Sequence, residues 1–201
     1  MLKRFITFAV VASAFAVFVA GCKNDPEQQR SVISVASLNC NEPGQSDVLE
    51  QGDSLNLLSD DFYADDWSRV RFENKPYDGL ITTDPGAPHG DFLVTHYHIH
   101  WTRSSGGPVL PDRDENMTVS IPSGKDNVGF VRLVSFQDKE TPILTALRYA
   151  PGHIRMTAHI TFYGHEVGND RETSVETSLS VEFFDWVIAT SDKPTDTGCT
   201  S

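Results

Sequence analysis

The chain has 201 residues, a formal net charge of −12 and a hydrophobic fraction of 39%. This length fits one domain with a full hydrophobic core, and the acidic surface repels phosphate backbones and anionic headgroups, which excludes nucleic acid as an expected partner. The three cysteines form no CxxC or CxxCH motif, so thioredoxin-like chemistry and covalent haem have no support.

The N-terminus is organised as an export signal. Lys3 and Arg4 precede an almost wholly apolar run over residues 5–19, and the small residues Ala20 and Gly21 follow it. A charged start, an apolar stretch and a small-residue cleavage site are typical of a secretory signal. Because the apolar run approaches the length of a bilayer span, an uncleaved anchor stays an alternative, as does a signal cut elsewhere.

The segment Val19-Ala20-Gly21-Cys22 resembles the lipobox of bacterial lipoprotein precursors. The resemblance implies that residues 1–21 are a signal peptide, that Cys22 is lipidated on sulfur, and that the new N-terminus is acylated. In many Gram-negative lipoproteins an Asp after the lipidated cysteine retains the protein at the inner membrane. Lys23 stands at that position here, so in a Gram-negative host the resemblance favours the outer membrane.

Residues 22–30 are the lipidated cysteine and a polar tether, and residues 31–201 are the expected folded domain. Lipid on Cys22 leaves two cysteines, Cys40 and Cys199, near the ends of that domain. Exported proteins meet an oxidising compartment, so we predict a disulfide between them, with two unpaired thiols as the alternative. The bond would contribute about 4–5 kcal/mol in the chain-entropy treatment, because it closes a very long loop.

The domain is expected to consist of short strands. Alternating apolar and polar residues, bounded by clusters of Gly, Pro, Asn and Asp, indicate them, and segment 143–148 fits either a strand or a short helix. Apolar residues on both parities of 128–136 predict a central or bulged strand, and a parity switch near residues 183–185 predicts a bulge in the last strand. The predicted strands are 31–38, 67–74, 92–103, 117–121, 128–136, 154–163 and 173–189, with 47–66 mostly loop.

About seven to nine such strands and no confident helix predict an all-β fold, an antiparallel β-sandwich. Trp101 has inward parity on a middle strand, and Met156 and Phe162 have inward parity on a late one. This layout resembles an immunoglobulin-like or fibronectin type III-like sandwich over roughly residues 31–190. The inter-sheet disulfide of antibody domains is absent from the pattern, since Cys40 and Cys199 stand elsewhere.

Three histidines with period two form the one pattern that suggests chemistry. His96, His98 and His100 share one face of the predicted strand, and His159 has outward parity on the strand expected beside it. A His-x-His pair with a third histidine from a neighbouring strand resembles the ligand arrangement of carbonic anhydrase, which implies a Zn or Cu site. The alternative is a solvated polar face whose imidazoles take up protons together near pH 6.

Other patterns give weaker indications. Asp112-x-Asp114-x-Asn116 imitates the start of an EF-hand loop, but Met117 replaces the glycine that the loop needs and no Glu closes it. Loop aspartates of this kind bind Ca²⁺ in some β-sandwiches; Asx turns explain them more simply. Three loop aromatics suggest either a binding platform or a plug at one end of the sandwich, and we favour the plug: Phe62, Tyr63 and Trp67.

Catalytic motifs of the G-x-S-x-G, H-E-x-x-H and Walker A types do not occur in the sequence. We therefore expect a non-catalytic, lipid-anchored binding or structural module of the cell envelope, without a cofactor and with an envelope protein or glycan as partner. The alternative is an envelope protein that binds Zn or Cu through the strand face of His96, His98, His100 and His159.

Overall fold

The computed structural model describes residues 31–48, 65–76, 90–168 and 171–185. Eight strands occur within these ranges and form two packed sheets, which confirms the predicted β-sandwich. Two single-turn helices, α1 (Phe136–Lys139) and α2 (Pro142–Thr145), follow the sixth strand. The strands are β1 (Ser31–Leu38), β2 (Gly44–Asp47), β3 (Asp66–Pro76), β4 (Phe92–Thr102), β5 (Arg113–Ile121), β6 (Asp126–Val134), β7 (His153–Glu166) and β8 (Thr173–Phe184).

The strand order is that of an immunoglobulin-like sandwich. One sheet has the order β1-β3-β6 and the other the order β2-β8-β7-β4-β5. In the second sheet β7 lies between β8 and β4, which is the arrangement of the strands named F, G and C in immunoglobulin domains. One pair departs from the antiparallel expectation, since β2 runs parallel to β8. The chain leaves the small sheet at the 3-10 turn Asn39–Asn41 and continues onto the edge of the large sheet in β2.

The hydrophobic core lies between the two sheets. Trp101 on β4 is 1% exposed and packs edge-on against Phe183 of β8, with ring centroids 5.7 Å apart. Phe72 of the small sheet meets Phe162 of the large sheet edge-on at 4.9 Å. Aromatic pairs of this kind are worth about 0.5–1.5 kcal/mol beyond the area that they bury. The inward placement of Trp101, predicted from strand parity, is confirmed.

A bulge in β4 sets the direction of its side chains. The register of β4 against both of its neighbours shifts between Val94 and His96, and the buried parity passes from Val94 to Tyr97. Gly164 of β7 stands opposite Val94, where an added Cβ would lie 2.2 Å from the carbonyl oxygen of Leu93. The close approach of the two backbones therefore requires glycine there, and the bulge turns the β4 histidines outward.

The first strand is fixed to the large sheet at its start. The backbone N–H and the hydroxyl of Ser31 donate to Oε1 of Glu166 at 2.5 and 2.7 Å. Ser31 is 1% exposed and Glu166 is 5% exposed, so this contact is buried. It closes one end of the sandwich at the point where the chain enters the domain.

Several predicted elements need correction. Of the two alternatives for β6, the bulged strand is confirmed: Val134 stands opposite Asp66 and Arg132 opposite Trp67, so Leu133 is an extra residue in the ladder. The strand is not central, because it lies at the edge of the small sheet and Phe130 is 60% exposed. The segment predicted as loop over residues 47–66 is preceded by β2, whose polar sequence gave no strand signal. For segment 143–148, the short-helix alternative is confirmed, since the segment begins within α2. The last strand ends at Phe184, and the residues beyond 185 lie outside the described ranges.

The predicted signal, lipidation and cysteine pairing fall largely outside the described residues. Residues 1–30 and Cys199 are not described. Cys40 lies in the 3-10 turn at a φ of 57°. Because Cys199 is outside the described ranges, its disulfide with Cys40 stays a prediction. In the described part of the chain, no helix is long and apolar enough to cross a membrane.

Candidate functional site

The outward side of the large sheet carries the histidines, and we call it the histidine face. Along β4, His98 stands between Asp114 of β5 and Thr161 of β7, and His100 stands directly beside His159. The structure therefore places the predicted residues His96, His98, His100 and His159 on one face of neighbouring strands, as strand parity and the immunoglobulin-like order predict.

Two of these histidines pair with aspartates. Nδ1 of His98 lies 2.8 Å from Oδ1 of Asp114, and Nδ1 of His100 lies 2.9 Å from Oδ1 of Asp112. Nε2 of His98 is 3.9 Å from Oδ2 of Asp112, so that carboxylate stands between the two rings. The Asp114 side chain is 78% exposed and that of His100 is 53% exposed. Solvated pairs like these contribute about 0–1 kcal/mol, which makes them contacts of a surface rather than of a core.

The other two histidines have separate partners. His96 stacks on Tyr163 with ring centroids 4.7 Å apart and an interplanar angle of 9°, and its Nδ1 lies 2.9 Å from the Thr95 hydroxyl. Nε2 of His159 lies 2.9 Å from the hydroxyl of Thr102, and its ring centroid is 6.2 Å from that of His100. The four imidazoles share a face, but each is directed to its own hydrogen-bond partner.

The rings do not converge because each is turned toward its own hydrogen-bond partner. Within the described residues, no group of three or more His, Cys, Asp and Glu side chains has an arrangement that could hold a metal ion. Asp112 and Asp114, considered above as EF-hand-like, face the histidines instead.

The histidine face also contains a hydroxyl–imidazole pair, Thr102 with His159. An activated nucleophile needs a base that is itself oriented by a third group. Among the described residues, no third side chain is hydrogen-bonded to the ring of His159. Within the described ranges, the pair therefore has the contacts of a surface hydrogen bond.

A buried ion network, which the sequence did not reveal, ties α1 to the sheets. Lys139 is fully buried, with Nζ 3.0 Å from Oδ1 of Asp66, and the guanidinium of Arg113 donates to Asp138. The network continues on β6, where the guanidinium of Arg132 donates to Glu115, which raises the pKa of the arginine. These pairs join residues far apart in sequence, so no local pattern distinguishes them from surface charges.

Tyr97 connects this network to the core. Its hydroxyl accepts a hydrogen bond of 2.9 Å from the backbone N–H of Arg132. The side chain is 2% exposed, and desolvation by this burial raises the pKa of the phenol above its usual range. The hydroxyl therefore serves the fold as a neutral group.

Exposed aromatic side chains lie on the opposite face of the sandwich. Trp67 on β3 and Phe130 on β6 are each 60% exposed, and their register neighbours across the small sheet are Arg132 and Arg69. Trp67 therefore does not plug an end of the sandwich, contrary to the interpretation favoured from the sequence, while Phe62 and Tyr63 lie outside the described residues. Exposed aromatics beside arginine are common where proteins meet partners.

Comparison with known proteins adds no family. No protein-family model matches the chain, and no curated protein is significantly similar to it. What the chain does is therefore inferred from its own residues, namely from the motif at Cys22 and from the surfaces described above.

Proposed function

We propose that this chain is a lipid-anchored module of the bacterial cell envelope that binds a protein or glycan partner and catalyses no reaction. The observation that carries the proposal is the segment Val19-Ala20-Gly21-Cys22, which ends an apolar run and precedes the polar tether 22–30. A β-sandwich then begins at Ser31. A cleavable signal, an acylated cysteine, a tether and a rigid body form the order expected of such a module.

The energetics of lipid attachment support this arrangement. Each buried CH₂ of an acyl chain contributes about 0.8 kcal/mol, and stable anchoring takes more than one chain, as the proposed lipid on the sulfur and the N-terminus of Cys22 would supply. The net charge of −12 keeps the tethered body away from anionic headgroups. Contact with the membrane is then made through the lipid, and the sheet faces stay accessible to a partner.

The decisive experiment compares the wild-type chain with Cys22→Ser, and uses Gln28→Ser, in the polar tether, as the control. After expression in a Gram-negative host, wild-type protein and the control are expected in the detergent phase of a phase-separation assay, and Cys22→Ser in the aqueous phase or uncleaved. Mass spectrometry should find the acyl groups on an N-terminal Cys22. A native chain with an unmodified thiol at Cys22 would end the proposal.

Outer-membrane placement is proposed from Lys23, the residue after the lipidated cysteine. Lys23→Asp is expected to move the protein to the inner-membrane fraction on a sucrose gradient, and Lys23→Ser to leave it in the outer membrane. An unchanged distribution for Lys23→Asp would contradict the placement.

The alternative proposal is a Zn or Cu site on the histidine face. One observation favours it: Asp112 lies 2.9 Å from His100 and 3.9 Å from His98, so three potential ligands are neighbours. Binding would need the rings to leave their present partners, including the hydroxyl of Thr102 at His159. The cofactor-free module is therefore the better supported of the two proposals, and a metal titration separates them.

A further inference from the structure

We propose that the open edge of β8, residues 173–180, receives an extended segment of a partner polypeptide as an added strand. This inference names the partner class of the binding module proposed above and rests on that proposal. On one side β8 is paired with β7 along its whole length, whereas on the other side β2 covers only residues 181–184. In the part of the chain that the structure describes, no strand pairs with residues 173–180 on this second side.

The backbone of this stretch provides the recognition. Every second residue of an edge strand directs its N–H and C=O groups away from the sheet, where a further strand can pair with them. β2 shows that the edge accepts a strand, since Gly44 stands beside Val181 and Asp47 beside Phe184 in parallel register. A strand in line with β2 would continue the same ladder for about eight residues, or about 26 Å.

Two cavities flank the open edge. One has a volume of about 320 Å³ and lies between residues 31–33 of β1 and residues 173–175 of β8, with Phe92 and Phe162 in its wall. The other, of about 370 Å³, lies between residues 35–38 of β1 and residues 177–180 of β8. Because alternate side chains of a strand point to the same side, an added strand would place every second side chain toward these cavities.

Charge indicates the composition of the added segment. Glu176 is exposed on β8 and Glu42 lines the second cavity, while β1 contains no charged residue. The chain as a whole carries −12. The segment that fits therefore alternates small apolar residues, which enter the cavities, with basic residues, which face the acidic rim. A polypeptide is favoured over a glycan because the exposed edge offers a regular ladder of amide partners.

The test uses the full exported chain in mild detergent and an eight-residue probe peptide that alternates valine and lysine. Amide hydrogen exchange, resolved residue by residue by NMR, is the measurement. At a probe concentration of about ten times its Kd, exchange in residues 173–180 is expected to slow about tenfold for the amides directed to the edge. Residues 181–184, which already pair with β2, are the internal control and should not change.

Two controls separate strand addition from charge attraction. A probe that is N-methylated at alternate residues keeps its charge and loses ladder donors, so it should bind at least tenfold more weakly. Glu176→Lys should lower the affinity for the valine–lysine probe and raise the affinity for a valine–glutamate probe. Asp126→Lys, on the other sheet, should change neither affinity. Equal binding of the methylated probe, or protection away from residues 173–180, would overturn the inference.

Concentration distinguishes the occupant. Slower exchange at residues 173–180 as the chain itself is concentrated, without any probe, would assign the edge to a second copy and would also overturn the inference. Mass spectrometry of Cys22 on the same preparation tests the anchor separately. If Cys22 is lipidated but the chain does not bind the probe, strand addition is wrong and the anchor proposal stands. If the chain binds the probe but Cys22 has a free thiol, the anchor proposal is wrong and strand addition stands.

Discussion

Replacement of Asp138 by alanine tests the buried ion network directly. The Asp138 side chain is 6% exposed, and its Oδ2 accepts hydrogen bonds of 2.8 Å from the backbone N–H and from the hydroxyl of Ser135. The same oxygen accepts from the guanidinium of Arg113. One carboxylate thus closes the capping box of α1 and pairs with a cation on β5.

The expected loss of stability follows from these contacts. Loss of a helix cap costs about 1 kcal/mol, and removal of one partner from a buried ion pair costs about 3–5 kcal/mol. Arg113 retains Glu115 at 3.1 Å and a hydrogen bond to the carbonyl of Leu133, so the lower end applies. The two losses together give an expected decrease of about 4 kcal/mol in the free energy of unfolding of Asp138→Ala.

Asp126→Ala is the matched control. Asp126 also pairs with an arginine, at 2.8 Å from Nε of Arg71, but its side chain is 53% exposed, so its removal should cost about 0–1 kcal/mol. Urea unfolding followed by tryptophan fluorescence gives both values, provided that the dependence on urea is unchanged. If the two variants unfolded within 0.5 kcal/mol of each other (roughly the spread of ordinary surface substitutions), burial of the Asp138 pair could not be the source of stability.

Three further predictions concern other parts of the molecule. Gly164→Ala should lower the free energy of unfolding by about 1–3 kcal/mol in the same urea assay, because the added Cβ would meet the backbone of β4. Gly152→Ala is the control: nothing lies within 4 Å of its Cβ position, so stability should change by less than about 1 kcal/mol. Equal effects of the two substitutions would contradict the close approach of the β4 and β7 backbones. Tyr97→Phe should cost about 1 kcal/mol at pH 7. The raised pKa keeps the Tyr97 phenol protonated in the folded state, whereas in the unfolded state it ionises near pH 10. The free energy of unfolding of the wild type should therefore fall above pH 10, and its difference from that of Tyr97→Phe should become smaller. A difference that stays constant with pH would argue against burial of the hydroxyl. Calorimetric titration of Zn and Cu should give the same weak binding for wild type and His98→Ala, and tight binding lost in His98→Ala would favour the metal-site alternative.

Much of the large sheet could be predicted from sequence because alternation is a local property. In β8, the apolar Leu179 and Val181 are buried and the polar Glu176 and Ser178 are exposed, as simple alternation along a strand requires. Alternation along β4 likewise predicts that His98 and His100 lie on the outer face of the sheet. Alternation could not show that their rings turn to Asp112 and Asp114, since β5 begins at Arg113, four residues before its predicted start.

The remaining features depend on contacts between distant segments. β2 is a polar stretch that forms a strand because it pairs with the edge of β8. Apolar residues on both parities of β6 predicted a central or a bulged strand, and local pattern alone could not decide between the two: the strand is bulged and lies at an edge, where Phe130 faces solvent. Lys139 meets Asp66 across 73 positions of sequence. No window of sequence contains both partners of such a pair, so their burial becomes evident only when the strands are assembled.

The buried contact between Ser31 and Glu166 has a mechanical consequence for the lipid-anchored form proposed above. In that form, a tether over residues 22–30 would reach about 30 Å when fully extended, so the domain would stay near its bilayer. A pull directed along β1 would load all of its pairs with β3 at once, from Ser31 opposite Pro76 to Leu38 opposite Val70, instead of parting them one after another. The strand next to the proposed attachment would then resist separation from its sheet.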